Sequence, residues 1–240
     1  MLALTSRSVL RRIRPCRVSV GACQKLSLAR DVQSYFDYCS KNKVAMDSKV
    51  FKGTLYEFAT KHFLETKLNC LELNRIGGAF DNGVDIYGKW NLQPYVDFEL
   101  QNLNGKLIDR LTKKPFNNGK ELYLNILVQC KNYRKKINAS TIREIPGIYN
   151  YHIKNKHEAN NTFFFLFSPF PLTKQGQSQI DSTDVPIIHF KLSPLTLESS
   201  GNPYDLKNWL GGELNSVYMN EKARSLLKGF RMDIHWQLLT

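Results

Sequence analysis

The chain has 240 residues, 42% hydrophobic and 12% aromatic, which is material for one packed domain with extensions. No apolar run approaches the ~18 residues needed to cross a bilayer, so the sequence offers no membrane span. The formal net charge is +13, and it is unevenly placed.

Residues 1–30 carry seven basic residues (Arg7, Arg11, Arg12, Arg14, Arg17, Lys25 and Arg30) and no acid. An Arg-rich, Ser-containing, acid-free leader with interspersed Leu, Ile and Val matches a mitochondrial transit peptide, whose cations are drawn in by a matrix-negative potential. The competing reading is a basic arm for nucleic acid or acidic lipid. Beyond the leader 27 basic residues face 21 acidic ones, a net +6. That balance suits a nucleic-acid partner and equally suits a solvated basic face. Of the five cysteines, Cys16 and Cys23 fall in the leader. Cys39, Cys70 and Cys130 are widely spaced with no CxxC pair, which argues for free thiols in a reducing compartment over disulfides or structural zinc.

Residues 31–47 read as a short helical lead-in, with Tyr35, Phe36 and Tyr38 available to dock on a core. Over 48–67, Phe51, Leu55, Phe58, Ala59 and Phe63 recur at spacings of three and four, an amphipathic helix with Asp47 as its amino cap. A strand is expected at 70–76, a turn at Gly77-Gly78, and a second strand at Val84-Asp85-Ile86-Tyr87 ended by Gly88. Residues 90–120 are polar and turn-rich, with Asn-Gly at 104–105 and 118–119, and read as a long hairpin or an inserted loop. A third strand follows at 122–130. A helix follows at 139–156, where Pro146-Gly147 predicts a kink or a new turn. The remaining expectations are a strand at 162–168, a short helix at 172–180, a strand at 185–192 and a mainly helical tail at 203–229. The order α-β-β-β-α-β-α-β-α describes an α/β domain around a mixed sheet.

Three local features carry candidate chemistry: Gly53-Thr54-Leu55-Tyr56-Glu57 early in a helix, GGAFDNGVDIYG at 77–88, and ILVQCKNYRKK at 126–136. Metal-assisted phosphodiester cleavage needs a hard cation on a few oxygen ligands with water and phosphate still bound. An ammonium placed to orient the attacking water and steady the developing charge completes the set. Asp85 on one strand, with Gln129 and Lys131 spaced i, i+2 on another, supplies it. The spacing puts Gln129 and Lys131 on one sheet face and turns Cys130 to the other. Glu57 lies on a helix that can cover that edge.

GGAFDNGVD followed by VQCKNY resembles the Mrr-like branch of the PD-(D/E)xK nucleases, with its Gly-rich turn, D-x-G-V-D and then Q-x-K on the next strand. The resemblance reaches upstream to the helix with Glu57 and downstream to FFFLFS and its helix, covering about residues 50–192. The whole chain with its basic leader also resembles a fungal mitochondrial family named for a requirement in respiratory growth, which carries this fold. The resemblance implies a restriction-endonuclease-like mixed β-sheet flanked by helices, with an α-β-β-β-α-β core. It implies Asp85 as principal metal ligand, Gln129 ligating through its amide oxygen, Glu57 as an auxiliary ligand, and Lys131 orienting water. Asp81-Asn82-Gly83 would form the turn that aims Asp85, and Mg²⁺ or Mn²⁺ would be the cofactor. Two departures stand out. The 43 residues between Asp85 and Gln129 exceed a compact hairpin, and Gln129 is neutral where most of the superfamily has an acid.

Tyr133, Arg134, Lys135 and Lys136 directly follow Lys131 and are the candidate nucleic-acid contacts, with Lys113-Lys114 a second basic pair. The tail, with Leu214, Val217, Tyr218, Leu226 and Leu227 beside Lys222, Arg224, Lys228 and Arg231, reads as a helix packed on the core or as a surface for a homodimer or DNA. His62, His152, His157, His189 and His235 form no H-E-x-x-H pair, so a zinc hydrolase is not indicated. The expected function is a metal-dependent nuclease of the mitochondrial matrix acting on mitochondrial DNA. The alternatives are an inactive nucleic-acid-binding module with the same fold and an assembly factor.

Overall fold

The computed structural model describes residues 32–76, 81–95, 108–109, 114–115, 122–198, 201–228 and 230. The basic leader, Gly77-Gly78, Lys113 and most of the segment at 90–120 lie outside those residues. The elements in chain order are α1 (Val32–Lys41), α2 (Lys49–Lys67), β1 (Cys70–Arg75), β2 (Ile86–Asn91), β3 (Ile108–Asp109), β4 (Lys114–Pro115) and β5 (Tyr123–Cys130). There follow α3 (Ala139–His152), α4 (Lys156–Asn160), β6 (Thr162–Ser168), α5 (Lys174–Asp181), β7 (Ile187–Leu192), β8 (Thr196–Leu197), β9 (Trp209–Leu210), β10 (Leu214–Met219) and α6 (Glu221–Leu226).

Six strands make one mixed sheet in the order β1-β2-β5-β6-β7-β10. The pairs β5–β6 and β6–β7 are parallel and the other three are antiparallel. Apart from the small β3–β4 pair and the short helix α4, the chain runs α2-β1-β2-β5-α3-β6, the α-β-β-β-α-β order expected for an α/β domain with helices on both faces. Every residue of β6 is buried, because a central strand covered on both faces must be apolar on both. Its alternate rings divide between two cores. Phe163, Phe165 and Phe167 join Tyr56, Phe63 and Leu64 of α2 with Trp90, Val128 and Phe190. Phe164 and Leu166 join Leu127 with Ile142 and Ile145 of α3 and Ile180 of α5. The first core is built largely from ring contacts, among them Phe167 stacked on Phe190 at 4.5 Å and Trp90 edge-on to Phe165 at 5.2 Å. A third cluster joins Tyr35 and Phe36 of α1 to Phe51, Leu55 and Phe58 of α2, with Trp209 packed against it.

Four local expectations are corrected. The cap of α2 is Ser48, whose hydroxyl accepts from Phe51 N–H at 3.1 Å, one residue after Asp47. β2 runs through Gly88 to Asn91, since a glycine is needed there for a different reason. A Cβ would meet a Leu73 methyl at 2.5 Å and Leu71 O at 2.9 Å. α3 continues through Pro146 and stops at His152, and the separate short helix α4 follows. Among its described residues the tail holds six residues of α-helix and a single 3-10 turn at Leu206–Asn208. Leu214, Val217 and Tyr218 lie instead on β10, paired antiparallel with β7. Buried Asn220 fixes this arrangement: its Oδ1 accepts from Ile187 and Ala223 N–H, and its amide donates to Ile180 O and Val185 O.

Candidate active site

The site grows from a turn. The Asp81 carboxylate accepts from Gly83 N–H at 2.8 Å, and Asn82 and Gly83 take left-handed backbone conformations at φ +53° and +80°. A side chain at Gly83 would collide with Ile148 of α3 at 2.5 Å, so this turn can press against the helix only with glycine there. The chain leaves the turn irregularly. Asp85 N–H donates to Val128 O at 2.8 Å, yet Ile86 is the residue in register with Val128. Two residues of one strand thus face one of the other, a β-bulge. Packing records the extra residue: Val84 joins the α3-side core and Ile86 the α2-side core, where plain alternation would put both on one face.

The bulge aims Asp85 at the end of the β2–β5 ladder. Its Oδ2 accepts from Cys130 N–H at 2.6 Å, the bond that a neighbouring strand carbonyl would otherwise take. Strand N–H groups point sideways within the sheet, so this carboxylate lies near the sheet plane in the opening between β2 and β5. From there β5 turns to its other neighbour, with Lys131 N–H donating to Phe167 O at 2.9 Å. Burial pushes the Asp85 carboxyl up to about 7. The charge of Glu57 adds to the shift and that of Asp81 adds less, against the Cys130 N–H and Lys131, which favour the charged form.

Glu57 approaches from α2 and is held by Arg75, Nη1 to Oε2 at 2.7 Å, both side chains largely buried. Burial raises its pKa, offset by the Arg75 charge and hydrogen bond. The Arg75 guanidinium also lies 4.7 Å from the centre of the Phe58 ring. Gln129 is buried on the opposite face. Its neighbours in alternation, Val128 and Cys130, pack with the α2-side core, Leu127 belongs to the α3 side, and the residue in register on β6 is Leu166. Gln129 Oε1 is buried without a hydrogen-bond partner. The in-plane Asp85 carboxylate is therefore flanked by Glu57 on one face and by the Gln129 strand position on the other. Among the described residues no three His, Cys, Asp or Glu side chains gather closely enough to hold a metal ion, so Glu57, Asp81 and Asp85 do not form a three-carboxylate cage.

Beyond Lys131, Tyr133, Arg134, Lys135 and Lys136 are exposed, and the Asn132 amide ties this loop to α2 at Lys52 O. The side chains of Lys113 and Lys114 fall outside the description. Two neighbours of the site had not been singled out for it. Arg75 sits 18 positions from Glu57 with no local signal of pairing, though a cation ending a strand just before a Gly-Gly pair in the sequence is a usable hint. His152, at the end of α3, has its pKa lowered by burial against a hydrogen bond to the Asn82 backbone, which places it on the turn that aims Asp85.

The model of the family described as Required for respiratory growth protein 7 matches residues 48–227. The chain belongs to this family. A relative from Vanderwaltozyma polyspora is 32% identical over 80% of this chain and 81% of its own length, one from Candida glabrata 30% over 87% and 88%, and one from Saccharomyces cerevisiae 30% over 80% and 84%. Each is named Required for respiratory growth protein 7, mitochondrial, and the chain is a mitochondrial protein with them. No solved structure matches it. Among the described residues no helix is long and apolar enough to cross a membrane.

Proposed function

We propose that this chain is a metal-dependent phosphodiesterase of the restriction-endonuclease-like superfamily, imported into the mitochondrial matrix by its basic leader and acting on organellar nucleic acid in support of respiratory growth. The observation that carries the reading is the placement of Asp85. A buried carboxylate is diverted by a bulge to the end of β5, where it accepts from Cys130 N–H within reach of the Lys131 charge, and the preceding residue on β5 is a glutamine whose buried Oε1 lacks a partner.

The donor set fits Mg²⁺ or Mn²⁺. Asp85 and Gln129 offer hard oxygens, the orphaned amide oxygen lacks only a ligand to satisfy it, and the raised Asp85 carboxyl is one that a cation would favour in its charged form. Asp85 and Gln129 would hold the ion and Glu57 would reach it through water, since Arg75 already occupies one of its oxygens. When bound, the ion supplies an activated water and neutralises charge on the phosphate. The chain's own part is then to keep the opening dry with the α2 and α3 layers, to orient water and steady the transition state through Lys131, and to hold flanking phosphates with Arg134, Lys135 and Lys136.

A second reading has its own observation. The Glu57–Arg75 ion pair and the lack of a three-carboxylate cage suit a nuclease fold that binds nucleic acid without turning it over. The full chain incubated with plasmid and single-stranded DNA, Mn²⁺ and a chelator control separates the two. Hydrolysis predicts metal-dependent nicking that falls by about 100-fold or more in Asp85→Asn and in Lys131→Ala. Salt-sensitive binding with no cleavage, unaffected by Asp85→Asn, supports the second reading and removes the first. Neither activity, with a stable protein partner instead, removes both in favour of an assembly role.

A further inference from the structure

Among the described residues most rings are buried or half-buried. Twelve of its largest side chains are less than 2% exposed, and all twelve are aromatic. Three Phe or Tyr rings are exposed among the described residues: Tyr151, which lies apart on α3 at 68%, and two that follow strand ends at the site. Tyr133 is 41% exposed, and Phe170, at 40%, is the one exposed phenylalanine among the described residues. Both follow the ends of neighbouring parallel strands. Cys130 of β5 is in register with Phe167 of β6, and each ring comes three residues later. Strands lie about 4.8 Å apart, so the two rings rise from adjacent columns at the carboxyl end of the sheet.

Their loops are fastened to each other and to the body. Ile137 N–H donates to Pro171 O at 3.1 Å and Thr173 N–H to Ile137 O at 2.8 Å. The Tyr133 loop is held by Asn132 on Lys52 O, and Phe170 O accepts from the buried Ser168 hydroxyl at 2.7 Å. The loops are thus fixed while the rings stand out, which lowers the entropy lost when a flat partner stacks on them. Within the loop that follows β5 the charge has one sign. Residues 131–136 hold Lys131, Arg134, Lys135 and Lys136 and no acid, and Lys52 is exposed beside them. None of these cations is in an ion pair among the described residues.

A partner that suits exposed rings set among cations is a polyanion that presents flat apolar faces. In a duplex the base faces are hidden in the stack, whereas an unpaired strand offers one with every nucleotide. We infer that the site takes single-stranded or locally unpaired nucleic acid, with Tyr133 and Phe170 stacking on bases while Arg134, Lys135 and Lys136 hold phosphates and pass the strand across the opening at Asp85. This inference rests on the nucleic-acid reading above and narrows its substrate class.

The test is fluorescence anisotropy with the full chain in chelator, so that binding is read without cleavage. The probes are oligo(dU) and oligo(U) of roughly 20 nucleotides, longer than the ~4–16 covered by one single-strand module, together with an abasic strand and a duplex of the same length. The better base-bearing strand, whose identity names the sugar, is expected to bind about tenfold tighter than the abasic strand and the duplex. Tyr133→Ala/Phe170→Ala is expected to lose about that tenfold on the base-bearing strand and nothing on the other two, with the salt slope unchanged because no cation is removed. Equal binding to base-bearing and abasic strands, which needs no variant, overturns the inference, as does tighter binding to duplex. So does a double variant that folds and loses only its binding to anionic phospholipid vesicles. Cleavage of duplex DNA indifferent to the two rings removes this inference and leaves the phosphodiesterase standing. Ring-dependent binding to single strands with no cleavage in Mn²⁺ supports the inference and removes the hydrolytic reading.

Discussion

Replacing Asp85 with Asn is expected to stabilise the chain in the absence of metal, and the size of the effect follows from where the carboxylate sits. The ordinary value for this carboxyl is 3.8, and burial together with the charge of Glu57 brings it to about 7 in the folded chain. Between those values the folded state keeps a proton that the unfolded state has released, so unfolding free energy falls as pH rises through that window. Below about pH 4 the group is protonated in both states and costs nothing, and above about pH 7 it is charged in both and the cost is complete. The window spans roughly three pH units at about 1.4 kcal/mol each, which gives about 4 kcal/mol. Asn keeps an oxygen for the Cys130 N–H and carries no charge into the opening. Urea unfolding of the two full-length chains in chelator, repeated from acid to mildly alkaline pH, is expected to show little difference near pH 4. The variant is expected to gain about 2–4 kcal/mol by pH 8. A difference independent of pH, or a variant less stable at pH 8, would refute a dry carboxylate held beside Glu57.

Three further outcomes follow from the same neighbourhood. Arg75→Met leaves Glu57 buried without its cation and is expected to cost about 3–5 kcal/mol in urea unfolding, most of it recovered by adding Glu57→Gln; no recovery would mean that the pair is not the cause. Gly83→Ala meets both a left-handed backbone, at about 1–2 kcal/mol, and the Ile148 side chain, at about 1–3 kcal/mol, and adding Ile148→Val is expected to return only part of the second cost. In a Cys16→Ser/Cys23→Ser background, Cys39, Cys70 and Cys130 are expected to react slowly with a disulfide reagent at pH 8 and promptly in urea, since burial raises all three thiols; one fast thiol in the folded chain contradicts this.

The sheet was largely legible because its strongest signals are local. The run Phe163-Phe164-Phe165-Leu166-Phe167, short and followed by Ser168-Pro169, reads as a strand covered on both faces, and the apolar spacing in α2 marks a helix with an apolar face. The tail was misread for a physical reason. Leu214, Val217 and Tyr218 are spaced three and four apart like one face of a helix, but the open edge of β7 and the buried Asn220 network recruit them into a strand, and tertiary pairing outweighs a short periodicity. Capping was off by one residue because Asp47 and Ser48 are both competent and only backbone geometry chooses between them. At the site, the order of Asp85, Gln129 and Lys131 was readable, although Asp85 falls just before β2 and Lys131 just beyond β5 where both were expected on strands. The bulge was not, because an extra residue between Val84 and Ile86 has no compositional mark, and it changes which face each side chain takes. The Glu57–Arg75 pair was equally hidden, since a helix residue and a strand residue meet there only after the chain has folded.

Asp85 and Gln129 differ in what the fold alone asks of them, and that difference sharpens the question of turnover. Asp85 has structural work whether or not the chain hydrolyses anything. It takes the Cys130 N–H that ends the β2–β5 ladder, and an apolar residue in its place would leave that donor unsatisfied at about 1–3 kcal/mol. Gln129 has no such excuse: it occupies a fully covered position on the α3 face, where Leu127 is its apolar neighbour in alternation, and its Oε1 has no hydrogen-bond partner. Stability alone would favour Leu or Met there, because the amide loses its hydration and gains nothing for that oxygen. Gln129→Leu is accordingly expected to raise the midpoint of urea unfolding without metal while removing Mn²⁺-dependent cleavage. A variant that is less stable and still cleaves would assign Gln129 to the core and leave the ion to Asp85 and Glu57.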